Sequence, residues 1–256
     1  MFFENTTSKN IQQKFSRFEM KYIIRKSISE NIQREIRNFM IYDGYAKKKL
    51  NKNYFVRSLY FENNNFFNFN EKVDGVKLRH KYRIRTYSNK LDKNTPIFLE
   101  LKGRENLRTY KTRFFIEQND LNLFFEKKNY FKLKKNYSDN SLIEQFIFDC
   151  YRKNLSPKIL VDYNRTPYIN KSGLYFRLTF DNNIVSLSNS RLYSTSLNSG
   201  WRECLAGFTI LEVKFESSIP AWFQRIVQSY QLQIRSISKF VIATDTLGLA
   251  SDFEGK

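Results

Sequence analysis

Hydrophobic and polar residues alternate along several short segments, which is the pattern of β-strands with one buried face. Segment 77–87 shows it most clearly. One face of this strand carries Leu78, His80, Tyr82 and Ile84, and the other carries Arg79, Lys81, Arg83 and Arg85. Further strands are predicted at 17–25, 54–61, 96–103, 108–117, 158–168, 174–185 and 207–216.

Helical periodicity appears between these strands. Segment 27–40 has an apolar stripe, and Ser27 with Glu30 forms a candidate capping box. Other helices are predicted at 119–128, 141–153 and 220–231, whereas the Ser- and Asn-rich segment 186–205 predicts a loop. Asp74-Gly75 predicts a hairpin turn, and a last short strand or turn is predicted to carry Ser238 and Lys239.

About eight strands, mostly linked as hairpins, with helices at the connections, predict an α+β fold. Polar inward faces favour an antiparallel β-barrel around a wet lumen. The chain has only 8 Gly and 4 Pro and no linker rich in them, so we predict one domain over 15–256. Residues 1–14 are expected to form a flexible N-terminal tail.

Three similar strings, at 18–22, 99–103 and 211–215, each place a carboxylate and an ammonium two residues apart. The pairs are Glu19 with Lys21, Glu100 with Lys102, and Glu212 with Lys214. Residues i and i+2 of a strand share a face, so three strands are predicted to send a Glu and a Lys into one polar space. Separate salt pairs on exposed strands are the alternative, since Glu126 with Lys128 has the same spacing in polar surroundings.

Four cations on one face of one strand repel each other unless anions lie among them. Further residues of the same parity share a face: Lys111 with Arg113, Tyr163 with Arg165, and Arg177 with Thr179 and Asp181. Converging cations with a few carboxylates fit a polyanion that arrives with a divalent metal. His80 falls on the apolar face, which favours a buried structural histidine.

Composition narrows the partners. The 256 residues carry a formal net charge of +19, which favours nucleic acid, anionic membrane or phosphorylated small molecules as partners. Two distant cysteines indicate neither a metal site nor a disulfide framework. No signal-peptide pattern or apolar run of about 20 residues is evident, so a cytoplasmic protein is expected, with any membrane association through a partner. P-loop, H-E-x-x-H, RNP, zinc-finger and basic-zipper patterns are absent.

In its ordered strings the chain resembles the VTC domain, the polyphosphate polymerase module of the vacuolar transporter chaperone proteins and their bacterial relatives. This domain belongs to the triphosphate tunnel metalloenzymes, which are CYTH-like. The matching strings are R-F-E-x-K-Y at 17–22, R-S-L-Y-F at 57–61, D-G-x-K-L-R-x-K-x-R-I-R-x-Y at 74–87, F-L-E-L-K at 98–102, K-x-R at 111–113, Y-N-R at 163–165, R-L-T-F-D at 177–181, L-E-V-K at 211–214 and S-K-F at 238–240. One departure is Ser236, near a place where the family often has a basic residue; Arg235 is the nearest cation.

The resemblance implies an antiparallel β-tunnel whose inner wall binds triphosphate and polyphosphate. It makes these residues the expected catalytic wall: Lys21, Arg83, Arg85, Lys102, Lys111, Arg165, Arg177 and Lys239. Further substrate contacts are expected from Arg57, Arg79, Lys81, Arg113, Tyr163, Lys214 and Ser238. Glu212 is the expected ligand of Mn²⁺ or Mg²⁺, with Glu100 and Glu19 as further candidates.

The function expected from this resemblance is transfer of the γ-phosphate of ATP to a growing polyphosphate chain by a bacterial-type stand-alone domain. A triphosphatase or polyphosphatase on the same tunnel, a silent polyphosphate sensor and a nucleic-acid-binding module are the alternatives. ATP and polyphosphate are the expected partners, nucleic acid is not, and a separate membrane protein stays open as a further one. Nothing in the sequence indicates an oligomeric state.

Overall fold

A single antiparallel sheet organises the chain. The structure, a computed structural model, describes residues 11–13, 18–47, 52–106, 108–193 and 199–250. The eleven strands among the described residues are β1 (Ile11–Gln13), β2 (Phe18–Arg25), β3 (Met40–Tyr42), β4 (Tyr54–Glu62), β5 (Leu78–Thr86), β6 (Ile97–Glu105), β7 (Arg108–Ile116), β8 (Ser156–Asn170), β9 (Phe176–Ser188), β10 (Arg202–Cys204) and β11 (Phe208–Phe215).

Helices lie at the connections between these strands. They are α1 (Lys26–Glu35), α2 (Gly44–Lys47), α3 (Phe67–Val73), α4 (Tyr130–Asn136), α5 (Ser141–Arg152), α6 (Ala221–Ser229) and α7 (Lys239–Thr246). Short 3₁₀ turns cover Ile36–Asn38, Gln118–Phe124 and Lys127–Asn129. The α+β class expected from the sequence is therefore confirmed. In the described part of the chain, no helix has the length and apolar character needed to cross a bilayer.

The strand order is β1-β7-β6-β5-β4-β8-β9-β11-β2, with β3 also paired to β8 and β10 to β9. Every pairing is antiparallel. Within the described strands this ladder ends at β1 and β2, which do not pair with each other. The expectation of a closed barrel is therefore wrong: the sheet keeps two free edges.

The sheet is nevertheless strongly curled. Laid flat, the strands of that order would hold their edges roughly 40 Å apart, at about 4.8 Å per strand. Only residues 14–17 separate Gln13 at the end of β1 from Phe18 at the start of β2, a distance of at most about 18 Å. In addition, the Nζ atom of Lys102 on β6 lies 3.7 Å from a carboxylate oxygen of Glu19 on β2. The sheet thus forms a channel with a seam between its edge strands.

The outer face of the sheet carries most of the hydrophobic core. On β5, Tyr82 and Ile84 are fully buried and belong to one cluster with Phe146 of α5. A second cluster joins β2, β9 and β11 to α1 and α6, with Ile32 and Phe223 among its fully buried members. The alternation predicted for 77–87 is confirmed, because the cations take the other face.

Helix α7 packs on the inner face, at one end of the channel. Its Phe240 ring lies 5.2 Å from the Tyr60 ring of β4, and Ala243 joins the same cluster as Ile210 of β11. The predicted strand or turn at Ser238 and Lys239 is therefore wrong: Ser238 is the N-cap of this helix. Tertiary packing inside the channel stabilises a helix that has little amphipathic pattern of its own.

Several local expectations also need correction. Asp74 and Gly75 end α3, which the sequence did not predict, rather than forming a hairpin turn. Helix α5 is capped by the Asn140 side chain, which accepts from the backbone N–H groups of Leu142 and Ile143. Helix α1 begins without a side-chain cap, and the 119–128 segment is mostly 3₁₀. Within the expected tail 1–14, residues 11–13 form β1 and the others lie outside the described residues.

The two faces of β5 generate a test of the fold. Ile84→Ala should lower the free energy of unfolding by about 2–5 kcal/mol, because it opens a cavity in the packed outer face. Leu78→Ala is the matched control, since Leu78 lies on the same face of the same strand but is 65% exposed. Urea unfolding measures both variants, and equal losses would contradict the assignment of the buried face.

Candidate functional site

The inner face of the curled sheet collects basic side chains from β2, β5, β6, β7, β8, β9, β11 and from α7. Side chains on paired residues of neighbouring strands share a face, so the register places them in continuous rows. Examples are the rows Lys81–Lys102–Lys111 and Glu19–Lys214–Arg177. The cations of this wall are Lys21, Lys81, Arg83, Arg85, Lys102, Lys111, Arg113, Arg165, Arg177, Lys214 and Lys239. We call this set the cation wall.

Glu100 on β6 anchors one half of the cation wall. Its carboxylate is fully buried and accepts from Arg83 Nε at 2.8 Å and Arg113 Nε at 2.8 Å, while Lys111 Nζ lies 2.8 Å away and Arg85 Nη1 3.7 Å away. Burial raises the pKa of Glu100, but the surrounding cations outweigh it and hold the pKa well below its usual range. A carboxylate so occupied has little capacity left for a metal, so we drop Glu100 from the expected ligands.

Asp181 on β9 anchors the other half. Arg165 donates to its two oxygens from Nε at 2.6 Å and Nη2 at 2.7 Å, and Lys239 Nζ lies 2.5 Å away. The positive partners keep the pKa of Asp181 lowered in spite of full burial, which acts to raise it. The sequence showed Asp181 at the same parity as Arg177 but did not identify it as a site residue. Asp181 becomes an anchor because β8 places Arg165 beside it and α7 places Lys239 beside it.

Glu19 and Glu212 are diagonal neighbours on the paired strands β2 and β11, since Glu19 faces Lys214 and Glu212 faces Lys21. Glu19 Oε1 is 2.6 Å from Lys21 Nζ, Glu212 Oε1 is 2.7 Å from Lys214 Nζ, and Lys214 Nζ is also 3.8 Å from Glu19 Oε2. Burial acts to raise both pKa values, and the charge of Glu212 also acts to raise the pKa of Glu19. The nearby lysines prevail, so the pKa of Glu19 falls to about 2 and that of Glu212 lies well below its usual range.

This carboxylate pair fits a divalent metal. Mg²⁺ and Mn²⁺ commonly take one or two protein carboxylates and complete their shell with substrate phosphates and water. Among the described residues, no group of three or more His, Cys, Asp or Glu side chains is placed to hold an ion by itself. Glu19 and Glu212 are thus residues of the kind that can hold an ion whose remaining ligands are phosphate and water.

Several lysines of the cation wall have pKa values below their usual range. Burial and neighbouring cations lower the pKa of Lys81 strongly, and burial acts in the same direction on Lys111 and Lys239. Glu19 raises the pKa of Lys102, but Lys21 and burial outweigh it and bring the value to about 8. The wall therefore holds more positive charge than its carboxylates neutralise, and an anion bound there would raise these pKa values.

Hydroxyl groups complete the wall. Ser238 Oγ accepts from Lys81 at 3.2 Å, and Tyr163 OH accepts from Arg85 at 3.1 Å. Both residues were expected from the sequence, and the structure brings them to the wall. Tyr60 was missed although it stands within the R-S-L-Y-F string, and its OH accepts from Arg83 at 3.1 Å. Because Ser238 caps α7, the positive end of that helix also faces this region.

The structure does not bring Arg57 to the cation wall. Its guanidinium lies on the opposite face of β4, donates to both oxygens of Asp162 at 2.9 and 2.7 Å, and donates to the Leu192 carbonyl at 3.2 Å. A buried arginine with such partners holds the segment after β9 against the sheet. We therefore exclude Arg57 from the proposed binding residues.

One rim of the channel carries Arg79, Arg104 and Lys72. Arg79 pairs in register with Arg104 on β6, and its guanidinium donates to the Val76 carbonyl. Lys72 of α3 donates to Ser236 Oγ at 2.8 Å, so the cation beside Ser236 comes from α3. Arg235, the nearest cation in sequence, donates instead to Gln233 Oε1. We call Lys72, Arg79 and Arg104 the basic rim. His80 stays outside the channel and bonds Asp149 at 2.8 Å, as its apolar face predicted.

The opposite mouth of the channel opens into a cavity of about 710 Å³. Arg113 and Arg177 of the cation wall form part of its lining. The remaining lining residues are Asp43, Tyr54, Tyr87, Lys93, Asn94, Thr95, Pro96, Phe98, Phe115, Glu117, Gln118 and Asn119. We call this the mouth cavity. Antiparallel pairing places the start of β4, the end of β5, the start of β6 and the end of β7 at this same end of the channel.

The chain matches one known family in sequence and several solved structures in fold. The profile of the VTC domain matches residues 16–247, and the chain belongs to the VTC domain family. No curated protein shows significant similarity to the chain.

Among solved structures, three similar ones have TM-scores of 0.46. One is described as a candidate adenylate cyclase of Bacillus halodurans, at 14% identity over 88% of this chain and 96% of that one. Another is a protein of Pyrococcus horikoshii OT3, at 12% identity over 90% and 98%. The third is described as a candidate adenylyl cyclase from Hippeastrum with a dominant triphosphatase activity, at 12% identity over 89% and 96%. These likenesses are too distant to carry an argument about function.

The burial of Glu100 among cations gives a stability prediction. Glu100→Gln should lower the free energy of unfolding by about 3–5 kcal/mol, because Arg83, Lys111 and Arg113 would then face each other without their shared anion. Added tripolyphosphate should restore part of the loss. The control is Glu126→Gln, which removes an exposed partner of Lys128 and Arg191 and should change little. Urea unfolding with and without the anion measures the effect, and identical behaviour of the two variants would rule out Glu100 as an anchor.

The lowered pKa of Lys102 predicts a pH dependence. A lysine binds phosphate as its protonated form, so affinity for tripolyphosphate should fall as pH rises through about 8, where Lys102 loses its proton. Lys102→Arg should remove this step, because arginine stays charged throughout that range. Titration calorimetry between about pH 7 and pH 9 measures both proteins. An equally steep step in the arginine variant would assign the titration to another group.

Proposed function

We propose that this chain is a polyphosphate polymerase that transfers the γ-phosphate of ATP to the end of a polyphosphate chain inside the channel. The observation that carries the proposal is the cation wall itself, which the curl of the sheet closes around the Glu19–Glu212 pair. Membership of the VTC domain family supports it. The wall carries many cations and few carboxylates, so a chain of phosphates complements its charge.

Phosphoryl transfer needs alignment of the phosphates and stabilisation of their charge more than covalent chemistry from the protein. Arg83 and Arg165 are each fixed by a buried carboxylate, which leaves their remaining N–H groups preoriented for phosphate oxygens. Lys81, Lys102 and Lys111 add further ammonium groups in the row that crosses β5, β6 and β7. A rigid set of donors aimed at the channel would hold donor and acceptor phosphates in line.

When bound, a divalent ion would supply positive charge that offsets the charge of the phosphates during transfer. The residues of this chain that would hold it are Glu212 and Glu19. Lys21 and Lys214 keep these carboxylates ionised and in place, since each lysine lies within 2.6–2.7 Å of one of them. The same lysines would contact the phosphates that the ion accompanies.

The carboxylates of the site support transfer to phosphate over hydrolysis. Attack by water is helped by a general base with a pKa near the working pH. Glu19, Glu100, Asp181 and Glu212 all have lowered pKa values and are ion-paired, so each is a weak base. A terminal phosphate is already anionic near neutral pH and needs no base before it attacks. An acceptor phosphate is therefore the better match to these residues.

Recessed charges argue against a nucleic-acid surface. The side chains of Lys21, Arg83 and Arg85 are only 18%, 13% and 8% exposed, and they lie inside the channel rather than on an open face. Binding of single-stranded nucleic acid uses an accessible basic groove with aromatic rings along it. A slim polyanion reaches these groups more readily than a strand that carries sugars and bases.

Product analysis tests the proposal. Purified protein is incubated with ATP and Mn²⁺ or Mg²⁺, and the phosphate products are sized by gel electrophoresis. ADP together with lengthening polyphosphate is the expected result. ADP with free phosphate alone would replace the polymerase with a triphosphatase, and no turnover despite polyphosphate binding would replace it with a sensor.

Glu212→Gln tests the metal-binding role. The variant should lose at least about a hundredfold of its turnover while polyphosphate binding largely survives, because the cations of the wall remain. Glu203→Gln is the matched control, since Glu203 is an exposed glutamate on the short strand β10. Turnover is followed over a series of Mn²⁺ concentrations. Full metal-dependent activity of Glu212→Gln would remove Glu212 from the ligand set.

The setting of the reaction follows the sequence-based expectation. We propose that the domain works in the cytoplasm, where ATP is available, and that any contact with a membrane runs through a separate protein. Fractionation of cells that express the chain tests this part of the proposal. Recovery in the membrane fraction without a partner would contradict it.

A further inference from the structure

The two ends of the channel differ in chemistry. The basic rim of Lys72, Arg79 and Arg104 surrounds one end, close to the N-terminus of α7. The other end is the mouth cavity, where half of the lining residues are aromatic or amide-bearing. We propose that the mouth cavity is a binding site for the nucleoside part of a nucleoside triphosphate. This inference rests on the proposed function, because it names how that site holds its phosphate donor.

Size is the first support. The cavity volume of about 710 Å³ falls within the range of roughly 300–1,000 Å³ that is typical of small-molecule sites. A site for phosphate alone needs no such space, because the cations of the wall already line the channel beyond it. The extra volume at one mouth therefore fits a ligand that is larger than its phosphates.

Aromatic rings supply the second support. Tyr54 and Tyr87 meet edge to face at 5.8 Å, Tyr87 and Phe98 at 6.3 Å, and Phe98 and Phe115 at 5.8 Å. These contacts form one connected row of rings along the mouth. Phe115 is 45% exposed although it is a large apolar residue, so it offers a ring to a ligand. Base–aromatic stacking works with any base and is a common means of holding one.

Polar groups around the rings are suited to the edge of a base or to a ribose. Asn94, Thr95, Gln118 and Asn119 lie around the cavity. Gln118 Nε2 donates to the carbonyls of Asp92 and Thr95, at 2.6 and 3.1 Å, and so fixes the β5–β6 connection against the segment after β7. Amide and hydroxyl groups held in place at an apolar pocket are the usual means of orienting a small ligand.

Two arginines connect the mouth cavity to the cation wall. Arg113 donates to Tyr87 OH at 3.0 Å, stacks over the Phe98 ring at 4.4 Å, and also bonds Glu100. Arg177 lies opposite and pairs with Asp43 at 2.9 Å. A nucleoside in the cavity would therefore direct its triphosphate past these arginines into the wall. Polyphosphate, which carries no base, would then enter the channel at the other end, where the basic rim lies.

Binding measurements on the whole chain test this inference without turnover. The β,γ-methylene analogue of ATP and inorganic tripolyphosphate are titrated separately into the wild-type protein and into Phe115→Ala. The variant should bind the ATP analogue roughly tenfold more weakly, the size of one lost stacking contact, and tripolyphosphate as before. Phe115→Leu keeps an apolar side chain and should show the same selective loss, whereas Phe115→Trp should retain affinity.

The matched control is Phe148→Ala, which removes a 63% exposed ring on α5, outside the channel, and should affect neither ligand. The nucleoside site would be overturned if Phe115→Ala and Phe115→Leu lowered the affinity for both ligands equally. It would also be overturned if they lowered the affinity for neither ligand. The outcome is separate from the proposed polymerase activity. If Phe115→Ala selectively loses affinity for the ATP analogue but the protein makes no polyphosphate, the nucleoside site stands and the polymerase activity does not. If the protein makes polyphosphate without that selective loss, the activity stands and the nucleoside site does not.

Discussion

Repulsion among the cations of the inner face is the constraint on which the rest of the structure depends. Many ammonium and guanidinium groups share one narrow space, and burial together with their repulsion lowers the pKa values of Lys81, Lys102 and Lys111. Glu100 and Asp181 relieve the repulsion locally, because each binds at least two cations from different elements of the fold. The compensation is incomplete, which leaves the wall ready for an anionic ligand.

The outer face provides the stability that such an arrangement requires. Two hydrophobic clusters pack the helices against the back of the sheet, and their members include fully buried Ile84, Phe146 and Phe223. Burial of this kind is the main favourable contribution to folding. Each inner strand thus has one face that stabilises the fold and another that carries function at a cost in stability, as active sites commonly do.

Sequence patterning predicted the inner face well where the outer face is apolar. On β5, strict alternation separated the cations from Tyr82 and Ile84, and the structure agrees. Strand β4 is buried on both faces, so its sequence contains no such contrast, and Arg57 was placed on the wrong one. Asp181, α7 and the open seam depend on pairing between distant segments, and local periodicity contains no information about them.

The open seam has a consequence for the width of the channel. In a closed barrel, the number of strands and their shear set the bore. Here the edge strands β1 and β2 are not paired with each other among the described strands, and side-chain contacts such as that between Glu19 and Lys102 span the curl instead. Among the described strands no closed ladder fixes the bore, so ion pairs across the curl contribute to its width. Unlike the hydrogen bonds of a strand ladder, such contacts are screened by salt.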